Sequence, residues 1–518
     1  MPTALISVSC KDGVIEFARE LKRMNWIIIS SCGTAKILRE NNIECKEISD
    51  IVNFPEILDG RVKTLNPKIH GGILAVRSNP EHINQLKKYG IDTIDMVVVN
   101  LYPFEATINK IEKPQNKNIN QEVIENIDIG GVTLLRAAAK NYKDVLVVCD
   151  QNDYGLVIES LKNNLFSNEL RLTFAAKTFR YTAYYDSLIS TYLTYDKFPE
   201  QFAVPLKKLI NLRYGENPHQ RAVLYLNGTQ KNKPVVMSAK QLYGKELSYN
   251  NYLDLESSWR LVHEFEKPAC AIIKHNNPCG CAESKDLKDS YLKALSCDPV
   301  SAFGSIIAFN KSVDFATAQE ISKIFVECII ACDYSKEALS VLMQKKNIRL
   351  LKQDIPYKKR NDIVEYRSIS SGMLVQDMDT SLLSEIKVMT KRSPIKEEND
   401  SLEFAWKVAK HVKSNAIVLV RGLQTVGIGA GQMSRIDSLK IAVEKMKEVK
   451  HNLDESKNPL VLASDAFFPF ADVVEESFKV NVTAIVQPGG SIRDIDSIKA
   501  ADDRNMVMIQ TSMRHFKH

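Results

Sequence analysis

Short runs of apolar residues alternate with amphipathic segments over the first third of the chain. The runs ALISVS, WIIISS, MVVVNLYPF and DVLVVCD have the length and apolar continuity of buried strands. Between them, GVIEFARELKRM, TAKILRENN and VTLLRAAAKN repeat their apolar residues with the spacing of a helix. Strands that alternate with helices predict an α/β domain whose parallel sheet is covered on both faces.

A second series of strands and polar turns begins near residue 200. Two prolines and weak periodicity around residues 190–210 predict domains at 1–197 and 198–518. Lysine-rich and polar sequence predicts subdomains of about 198–385 and 386–518. Each half follows the order strand, polar turn, helix, strand and SAFG or DAFFPF, which indicates a faint internal repeat. The polar stretch NKIEKPQNKNINQE predicts a surface loop inside the first domain.

The composition restricts the class of protein. The 518 residues are 44% hydrophobic and 25% charged, as in globular proteins with sizeable cores. No apolar run approaches the roughly 18 residues of a membrane-spanning helix, so we expect no membrane partner. Ten scattered cysteines predict free thiols and a cytoplasmic location. A net charge of +6 carried by dispersed lysines favours anionic small molecules over nucleic acid.

Two loops of the first domain have the residues of a phosphate site. SVSCKDG and SSCGTA place small and hydroxyl residues between a strand and a helix, where free N–H groups and the helix dipole favour an anion. A helix N-cap needs the same residue types, so each loop alone fits either interpretation. The nearby segment GRVKTLNP adds Arg61, Lys63 and Thr64, and the combination favours a phosphate pocket.

The stretch CAIIKHNNPCGCAE, residues 270–283, admits three interpretations. A zinc deaminase needs H-x-E and P-C-x-x-C, but Cys279 and Cys281 are spaced C-x-C and no histidine precedes Glu by two residues. The apolar run is expected to lead into a turn that contains Asn276, Asn277, Pro278 and Gly280. Lys274 and His275 can share a pocket only if the strand ends there, which the Asn-Asn-Pro favours. There His275 could take a proton while Lys274 stabilises an oxyanion. A solvent-exposed lysine beside a structural histidine is the third interpretation.

Longer motifs resemble one family. IKHNNPCG, LRYGENPHQ, SAFG, GIGAGQMSR, ASDAFFPF and QPGGSIRD resemble the transformylase part of the bifunctional AICAR transformylase / IMP cyclohydrolase enzymes of purine biosynthesis. KTLNPKIHGGILA, NLYPF and IDIGGVTLLRAAAKN resemble the cyclohydrolase part. The motifs run in the family's order from Ser7 to His518. The resemblance implies a methylglyoxal-synthase-like domain followed by a transformylase region of two cytidine-deaminase-like subdomains.

The resemblance also implies the chemistry. The transformylase passes the formyl group of 10-formyltetrahydrofolate to the 5-amino group of AICAR, and the cyclohydrolase closes formyl-AICAR to IMP with loss of water. No redox cofactor and no catalytic metal are implied, and the family forms homodimers whose transformylase site uses both chains. In formyl transfer His275 would be the base and Lys274 would stabilise the oxyanion, although the proton carried by each stays open.

The remaining site residues follow from the same resemblance. The transformylase positions that would hold substrate are Arg213, Tyr214, His219, Asn251, Phe303, Gly304, Asn415, Arg435, Phe467 and Asp472. Taken alone, Phe303 and Phe467 would fit a hydrophobic core. The cyclohydrolase positions that would carry the chemistry are Lys63, Tyr102, Asp128 and Lys140, while Asp128 and Tyr102 alone also fit a helix-start acid and a strand-end aromatic. The positions that would hold phosphate and ribose are Ser9, Lys11, Ser31, Thr34, Arg61 and Thr64.

Five positions depart from the family's usual residues. Cys10, Cys32 and Asn66 stand where Asp, Gly and His are usual, and Ser305 and Ser512 replace Gly. A lost glycine matters most where the backbone needs a positive φ. Two other functions remain open: a zinc-dependent nucleotide deaminase, which lacks its ligands here, and a nucleotide-binding regulator, which would not need the four cyclohydrolase residues.

Overall fold

The computed structural model describes residues 1–54, 57–111, 118–230, 236–355, 357, 363–449 and 458–518. The chain divides into two compact units. Unit 1 is Met1–Lys207 with Tyr225–Lys231, and unit 2 is Lys208–Leu224 with Asn232–His518. The predicted boundary near residue 198 falls between a helix that ends at Leu193 and a strand that begins at Leu206.

Unit 1 contains a five-stranded sheet in which every pair is parallel, as the alternating pattern predicts. Its strands are β1 (Thr3–Val8), β2 (Ile27–Ser30), β3 (Lys46–Glu47), β4 (Met96–Asn100) and β5 (Leu146–Val148), in the order β3-β2-β1-β4-β5. The edge strand β3 was not predicted, because two charged residues give no apolar run.

Ten helices accompany this sheet in the described part of unit 1. They are α1 (Val14–Arg23), α2 (Cys32–Glu40), α3 (Ile48–Val52), α4 (Pro67–Leu74), α5 (Pro80–Tyr89), α6 (Phe104–Ile108), α7 (Gln121–Glu125), α8 (Gly130–Lys140), α9 (Tyr154–Lys162) and α10 (Asn168–Leu193). The predicted helices correspond to α1, α2 and α8. Helix α10 buries Thr178, Thr182 and Ser187 along with apolar residues, so its apolar period is weak.

The expected polar loop runs from α6 into α7, and its residues 112–117 lie outside the described residues.

A two-stranded sheet of β6 (Leu206–Leu212) and β7 (Ala222–Asn227) contains the unit boundary, and β8 (Lys240–Tyr243) follows. The remaining strands of unit 2 are β9 (Ala269–Lys274), β10 (Asn277–Glu283), β11 (Ser305–Phe309), β12 (Val326–Ala331), β13 (Arg349–Lys352), β14 (Val364–Ile369), β15 (Gly372–Asp377), β16 (Lys387–Val388), β17 (Ile417–Arg421), β18 (Gln424–Gly429), β19 (Leu460–Ser464), β20 (Val482–Gln487) and β21 (Val507–Gln510). The helices of unit 2 are α11 (Tyr249–Val262), α12 (Leu287–Leu295), α13 (Phe315–Ile321), α14 (Lys336–Leu342), α15 (Lys396–Ala409), α16 (Arg435–Glu448), α17 (Asp472–Phe478) and α18 (Asp494–Asp502).

Twelve of these strands form one mixed sheet with an internal repeat. Its order is β16-β21-β20-β19-β17-β18-β10-β9-β11-β12-β13-β8. Counted outward from the central pair of β10 and β18, both halves have the same succession of antiparallel and parallel neighbours. The predicted repeat is therefore present, but the pairing of SAFG with DAFFPF was wrong: Ser301–Gly304 precedes β11, whereas Asp465–Phe470 follows β19.

The two halves share a core as well as a sheet. Trp259 on α11 and Trp406 on α15 are fully buried in one cluster that includes strands from both halves. The opposite face has two separate clusters, one around α12–α14 and one around α16–α18. At the seam, the Cys281 N–H donates to Thr425 Oγ1 at 2.9 Å. In unit 2, one face of the sheet thus packs on a single core that both halves share, and the other face packs on two separate cores.

The two serines that stand in place of glycine differ in conformation. Ser512 has φ of +54°, whereas Ser305 lies inside β11 and is not left-handed. A left-handed non-glycine residue costs about 1–2 kcal/mol, and glycine costs the unfolded chain about 0.5–1 kcal/mol of entropy. We expect Ser512→Gly to stabilise unit 2 by up to about 1 kcal/mol, measured by urea or thermal unfolding. Ser305→Gly is the matched control and should give no gain; a loss in Ser512→Gly would contradict the argument.

Candidate functional sites

The loop after β1 in unit 1 is fixed by the last residue of β4. Asn100 Oδ1 accepts the N–H groups of Ser9 at 2.6 Å and Cys10 at 2.8 Å, and its amide donates to the Cys10 carbonyl at 3.0 Å. Asn100 was not among the predicted site residues. Its only sequence signal is that it ends the apolar run MVVVN, at the edge where parallel strands place their ligand loops.

The two loops that were predicted to hold phosphate meet at this edge. Ser7 Oγ lies 2.8 Å from Ser31 Oγ, and Lys11 Nζ donates to Thr34 Oγ1 at 2.8 Å and to the Val8 carbonyl. Ser31 is the N-cap residue of α2, but its side chain makes no capping hydrogen bond. Because the ammonium group of Lys11 is partly removed from water, burial lowers its pKa.

Asp128 lies where α8 begins. Its Oδ1 accepts the Gly131 N–H at 2.6 Å, and a Cβ on Gly131 would lie 2.5 Å from Oδ2. Burial raises the pKa of Asp128, and the N–H groups of Gly131 and Tyr102 partly oppose this rise, as does the charge of Lys63. The Tyr185 hydroxyl accepts the Asp128 N–H at 2.9 Å. The hydrogen bond from Gly131 fits the helix-start interpretation of Asp128, and the burial of its carboxyl group with the charge of Lys63 nearby fits the site interpretation as well.

The segment before α4 packs against the start of α8. Thr64 is buried, and a Cβ on Gly130 would lie 2.3 Å from its Oγ1. Arg61 pairs with Glu125 on α7. Asn66, at a position where the family usually has His, is the N-cap of α4 and accepts the Lys68 N–H at 2.9 Å. A cavity of about 220 Å³ lies here and is lined by Ser31, Ile48, Ser49, Val52, Phe54, Ile57, Val62, Lys63, Leu65 and Asn66.

Lys140, His70 and Tyr102 differ in their positions relative to this site. Lys140 is the last residue of α8, so the 11-residue helix separates it by roughly 15 Å from the end that carries Asp128. The structure does not bring Lys140 to the other predicted residues. His70 on α4 was not predicted; its Nε2 is buried without a hydrogen-bond partner among the described residues, and burial lowers its pKa. Tyr102 is 44% exposed at the end of β4.

In unit 2, strand β9 ends at Lys274 as the catalytic interpretation requires. His275 and Asn276 form the whole turn, with φ of +53° and +61°, as in a type I′ hairpin. The expected longer turn was wrong, because Asn277 and Pro278 already lie in β10. Pro278 is tolerated there because the register shifts between Pro278 and Gly280.

The side chain of Lys274 is directed to the SAFG loop. Its Nζ donates to the Phe303 carbonyl at 2.9 Å, and Gly304, with φ of +73°, donates its N–H to the Phe325 carbonyl at 2.8 Å. Phe303 is 60% exposed, and its ring is tilted by 53° against that of Phe325 with 5.4 Å between the ring centroids. The core interpretation of Phe303 was therefore wrong, and an exposed aromatic ring stands beside Lys274.

A chain of contacts continues from the β9–β10 turn to Arg435. Asn277 Oδ1 accepts the Lys413 N–H at 2.9 Å, and the next residue, Ser414, donates its hydroxyl to Asp465. Asp465 is fully buried, and its Oδ1 lies 3.6 Å from Arg435 Nη2. Arg435 Nε and Nη2 have no hydrogen-bond acceptor among the described residues, so the guanidinium group retains the capacity to bind an anion.

The C-terminal segment adds a second arginine that was not predicted. The guanidinium groups of Arg514 and Arg435 lie 4.3 and 5.8 Å from the ring centroid of Phe516. Burial is the main cause that lowers the pKa of Arg435, and the charge of Arg514 lowers it further. The His515 N–H donates to the Asp465 carbonyl at 3.1 Å and anchors this segment. No local pattern in RHFKH could indicate this pairing, because it depends on the tertiary fold.

The other predicted residues of unit 2 are less closely connected to the contacts that run from Lys274 to Arg514. Asn415 Nδ2 donates to the Gln432 carbonyl at 2.9 Å, whereas buried Asn251 donates to Glu327 at 2.9 Å and forms a capping box with Ser248. Arg213 lies 5.6 Å from the ring of Tyr214, and Asn250 Nδ2 joins the turn that follows them by donating to the Glu216 carbonyl at 3.3 Å. Of the last three predicted residues, His219 is exposed, Phe467 is half-buried and Asp472 is the first residue of α17.

Cys279 and Cys281, the two cysteines weighed as zinc ligands, lie in β10. Cys281 is fully buried, and burial raises the pKa of Cys279 to about 12. Among the described residues, no group of three His, Cys, Asp or Glu side chains is arranged to hold a metal ion. Within the same residues, no helix is long and apolar enough to cross a membrane.

Comparison with known proteins adds family matches. Residues 138–445 match the AICARFT/IMPCHase bienzyme model, and residues 13–133 match the MGS-like domain model. Proteins named "Bifunctional purine biosynthesis protein PurH" are 52% identical in Persephonella marina, 51% in Caldicellulosiruptor saccharolyticus and 48% in Bacillus subtilis. Each alignment covers 99% of this chain and 99% of the relative. The methylglyoxal-synthase-like fold expected for the first domain is thereby confirmed.

The contact between Gly131 and Asp128 generates a stability prediction. A methyl group at Gly131 must displace the Asp128 carboxyl group from its N–H donors, so we expect Gly131→Ala to lower the thermal unfolding midpoint. Gly155→Ala in α9 is the matched control, because its methyl group would meet nothing within 4 Å. It should stabilise the protein by about 0.5–1 kcal/mol. Equal midpoints for the two variants would contradict the rigid placement of Asp128.

Proposed function

Because the chain belongs to the AICARFT/IMPCHase bienzyme family and is a bifunctional enzyme of purine biosynthesis, we propose that its two candidate sites divide the two reactions. The site of unit 2 carries the formyltransferase activity, and the site of unit 1 carries the cyclohydrolase activity. The observation that supports this division most directly is the position of Lys274 and His275 at a hairpin turn of unit 2, whereas Lys63 and Asp128 belong to unit 1.

For formyl transfer, the substrates are AICAR and 10-formyltetrahydrofolate. The amine of AICAR is a weak nucleophile, since its lone pair is conjugated with a ring that bears a carboxamide. His275 takes the amine proton as the C–N bond forms, and Lys274 stabilises the oxyanion of the tetrahedral intermediate. As that intermediate collapses, the formyl carbonyl is restored, the bond to N10 of the folate breaks, and N10 takes up the proton that His275 had accepted, which gives tetrahydrofolate. The exposed position of His275 and the bond from Lys274 Nζ to the Phe303 carbonyl support these roles.

The phosphate of AICAR binds at the paired arginines. Arg435 has two nitrogens without an acceptor among the described residues, and Arg514 adds a second positive charge across Phe516. A guanidinium group suits phosphate because it donates two parallel hydrogen bonds. The expected positions that complete the substrate pocket in this proposal are Arg213, Tyr214, His219, Asn251, Phe303, Gly304, Asn415, Phe467 and Asp472.

For ring closure, formyl-AICAR folds so that its carboxamide nitrogen attacks its own formyl carbon, and water leaves as IMP forms. Holding the substrate in this pose accounts for most of the task, because the reaction is intramolecular. Lys63 and Tyr102 stabilise the developing oxyanion, and Asp128 orders the carboxamide. The loops of Ser9, Lys11, Ser31 and Thr34 hold the phosphate, together with Arg61 and Thr64. Lys140 is assigned to proton transfer in this proposal, although it lies at the opposite end of α8 from Asp128.

Separate losses of the two activities test the division. We expect Lys274→Ala and His275→Ala to lower formyl transfer at least about 100-fold and to leave cyclisation of added formyl-AICAR unchanged. Lys63→Ala and Asp128→Asn should have the reverse effect. Tetrahydrofolate release measures transfer, and IMP formation from formyl-AICAR measures cyclisation. A folded variant from either site that lost both activities would contradict the division.

We also propose that the enzyme is a cytoplasmic homodimer. The nine cysteines with described side chains are all free, as suits a reducing compartment. The two-stranded sheet of β14 and β15 exposes Tyr366, Ile369, Met373 and Leu374. A hairpin of two strands is marginal alone, so a second copy of the chain is the proposed cover.

The hairpin gives a test of the dimer. We expect light scattering to give twice the chain mass and Leu374→Asp to raise the dimer dissociation constant at least about tenfold, since a charge replaces an apolar contact. The control is Leu165→Asp in unit 1, another exposed leucine, which should not alter the mass. A monomer at micromolar concentration in the unaltered protein would disprove this proposal.

A further inference from the structure

The repeat in unit 2 places the same hairpin in two copies, and only one carries the proposed base. Helix α11 precedes the hairpin of β9 and β10, and α15 precedes that of β17 and β18. The first turn residue is left-handed in both, with φ of +53° at His275 and +58° at Gly422. Glycine adopts this conformation without strain, whereas a histidine there needs support from its surroundings.

Asp254 on α11 provides that support. It is the sixth residue of α11, and the sixth residue of α15 is Ser401, whose buried hydroxyl has no partner among the described residues. Asp254 Oδ1 accepts the Asn276 N–H at 2.7 Å. Burial raises the pKa of Asp254, and the N–H groups of Asn276 and His275 and the charge of His275 lower it in part. The carboxyl group thus faces the backbone of His275 and Asn276, the two left-handed residues of this turn.

A second contact comes from the next turn of α11. Ser257 Oγ donates to Asn276 Oδ1 at 3.0 Å. The side chain of His275 itself is exposed, so its direction is set by the backbone from which it projects. Holding that backbone therefore determines where the imidazole ring lies relative to Lys274.

We propose that Asp254 is a positioning residue for formyl transfer, which fixes the left-handed turn so that His275 projects beside Lys274. The inference rests on the proposed role of His275. Asp254 acts through the turn and makes no contact with substrate. Its loss should therefore lower the rate of the chemical step more than the affinity for AICAR.

The first variant is Asp254→Asn, which keeps the shape of the side chain and removes its negative charge. We expect kcat for formyl transfer to fall between about 10- and 100-fold, while KM for AICAR changes less than about threefold. Cyclisation of formyl-AICAR should be unchanged. The matched control is Asp314→Asn, because Asp314 accepts the Thr317 N–H at 2.8 Å as the N-cap of α13. That variant should keep full transfer.

Rescue distinguishes a positioning role from a general loss of stability. Asn276→Gly makes the second left-handed residue favourable without help from a neighbour. In the Asp254→Asn background it should restore most of kcat. Transfer within twofold of the unaltered enzyme in Asp254→Asn, or no recovery in the double variant, would overturn the proposal. His275→Gln in the same assay separates the two claims: its full activity would refute the role of His275, whereas its inactivity beside an active Asp254→Asn would refute only the role of Asp254.

Discussion

The N–H groups next to a strand end lack ladder partners, and in this chain side chains from distant sequence replace those partners. Asn100 accepts from Ser9 and Cys10, Asp254 accepts from Asn276, and Asp465 accepts from Ala416 at 3.2 Å. An unpaired buried N–H group is costly, so each acceptor fixes the loop it serves. Both candidate sites depend on this constraint, because their polar side chains stand on loops held in this way.

Much of the fold could be predicted from the sequence, because the strongest signals in it are local. Apolar runs located β1, β2, β4 and β5, and the strand that ends at Lys274 was anticipated from the Asn-Asn-Pro that follows it. Two-residue edge strands such as β3, and α10 with its buried hydroxyl residues, give no such signal. The internal repeat was visible in the order of the elements. The two aromatic motifs, SAFG and DAFFPF, gave a wrong alignment of its halves, because SAFG precedes β11 whereas DAFFPF follows the equivalent strand β19.

The site was predictable only where residue type and motif coincide. Lys11, Thr34, Thr64 and Asp128 were predicted as site residues; Lys11 contacts Thr34, and Thr64 and Asp128 both lie against the start of α8. Asn100, Asp465 and Arg514 were missed, because each acts through a partner that is remote in sequence. Arg514 meets Arg435 only after the C-terminal segment has bound to Asp465. Long-range contacts of this kind follow from the packing of the sheet and have no local pattern.

The pair of Arg435 and Asp465 illustrates how a binding site can remain incomplete within a stable fold. A separation of 3.6 Å offsets part of the charge of the buried arginine but is too long for a strong hydrogen bond. A closer, bidentate pair would satisfy the guanidinium group and leave little for a ligand. Burial without any carboxylate would cost more than the fold could support. The intermediate arrangement retains the arginine in the interior with two nitrogens that have no acceptor among the described residues. In the proposed function, the phosphate of the substrate is the anion that this guanidinium group binds.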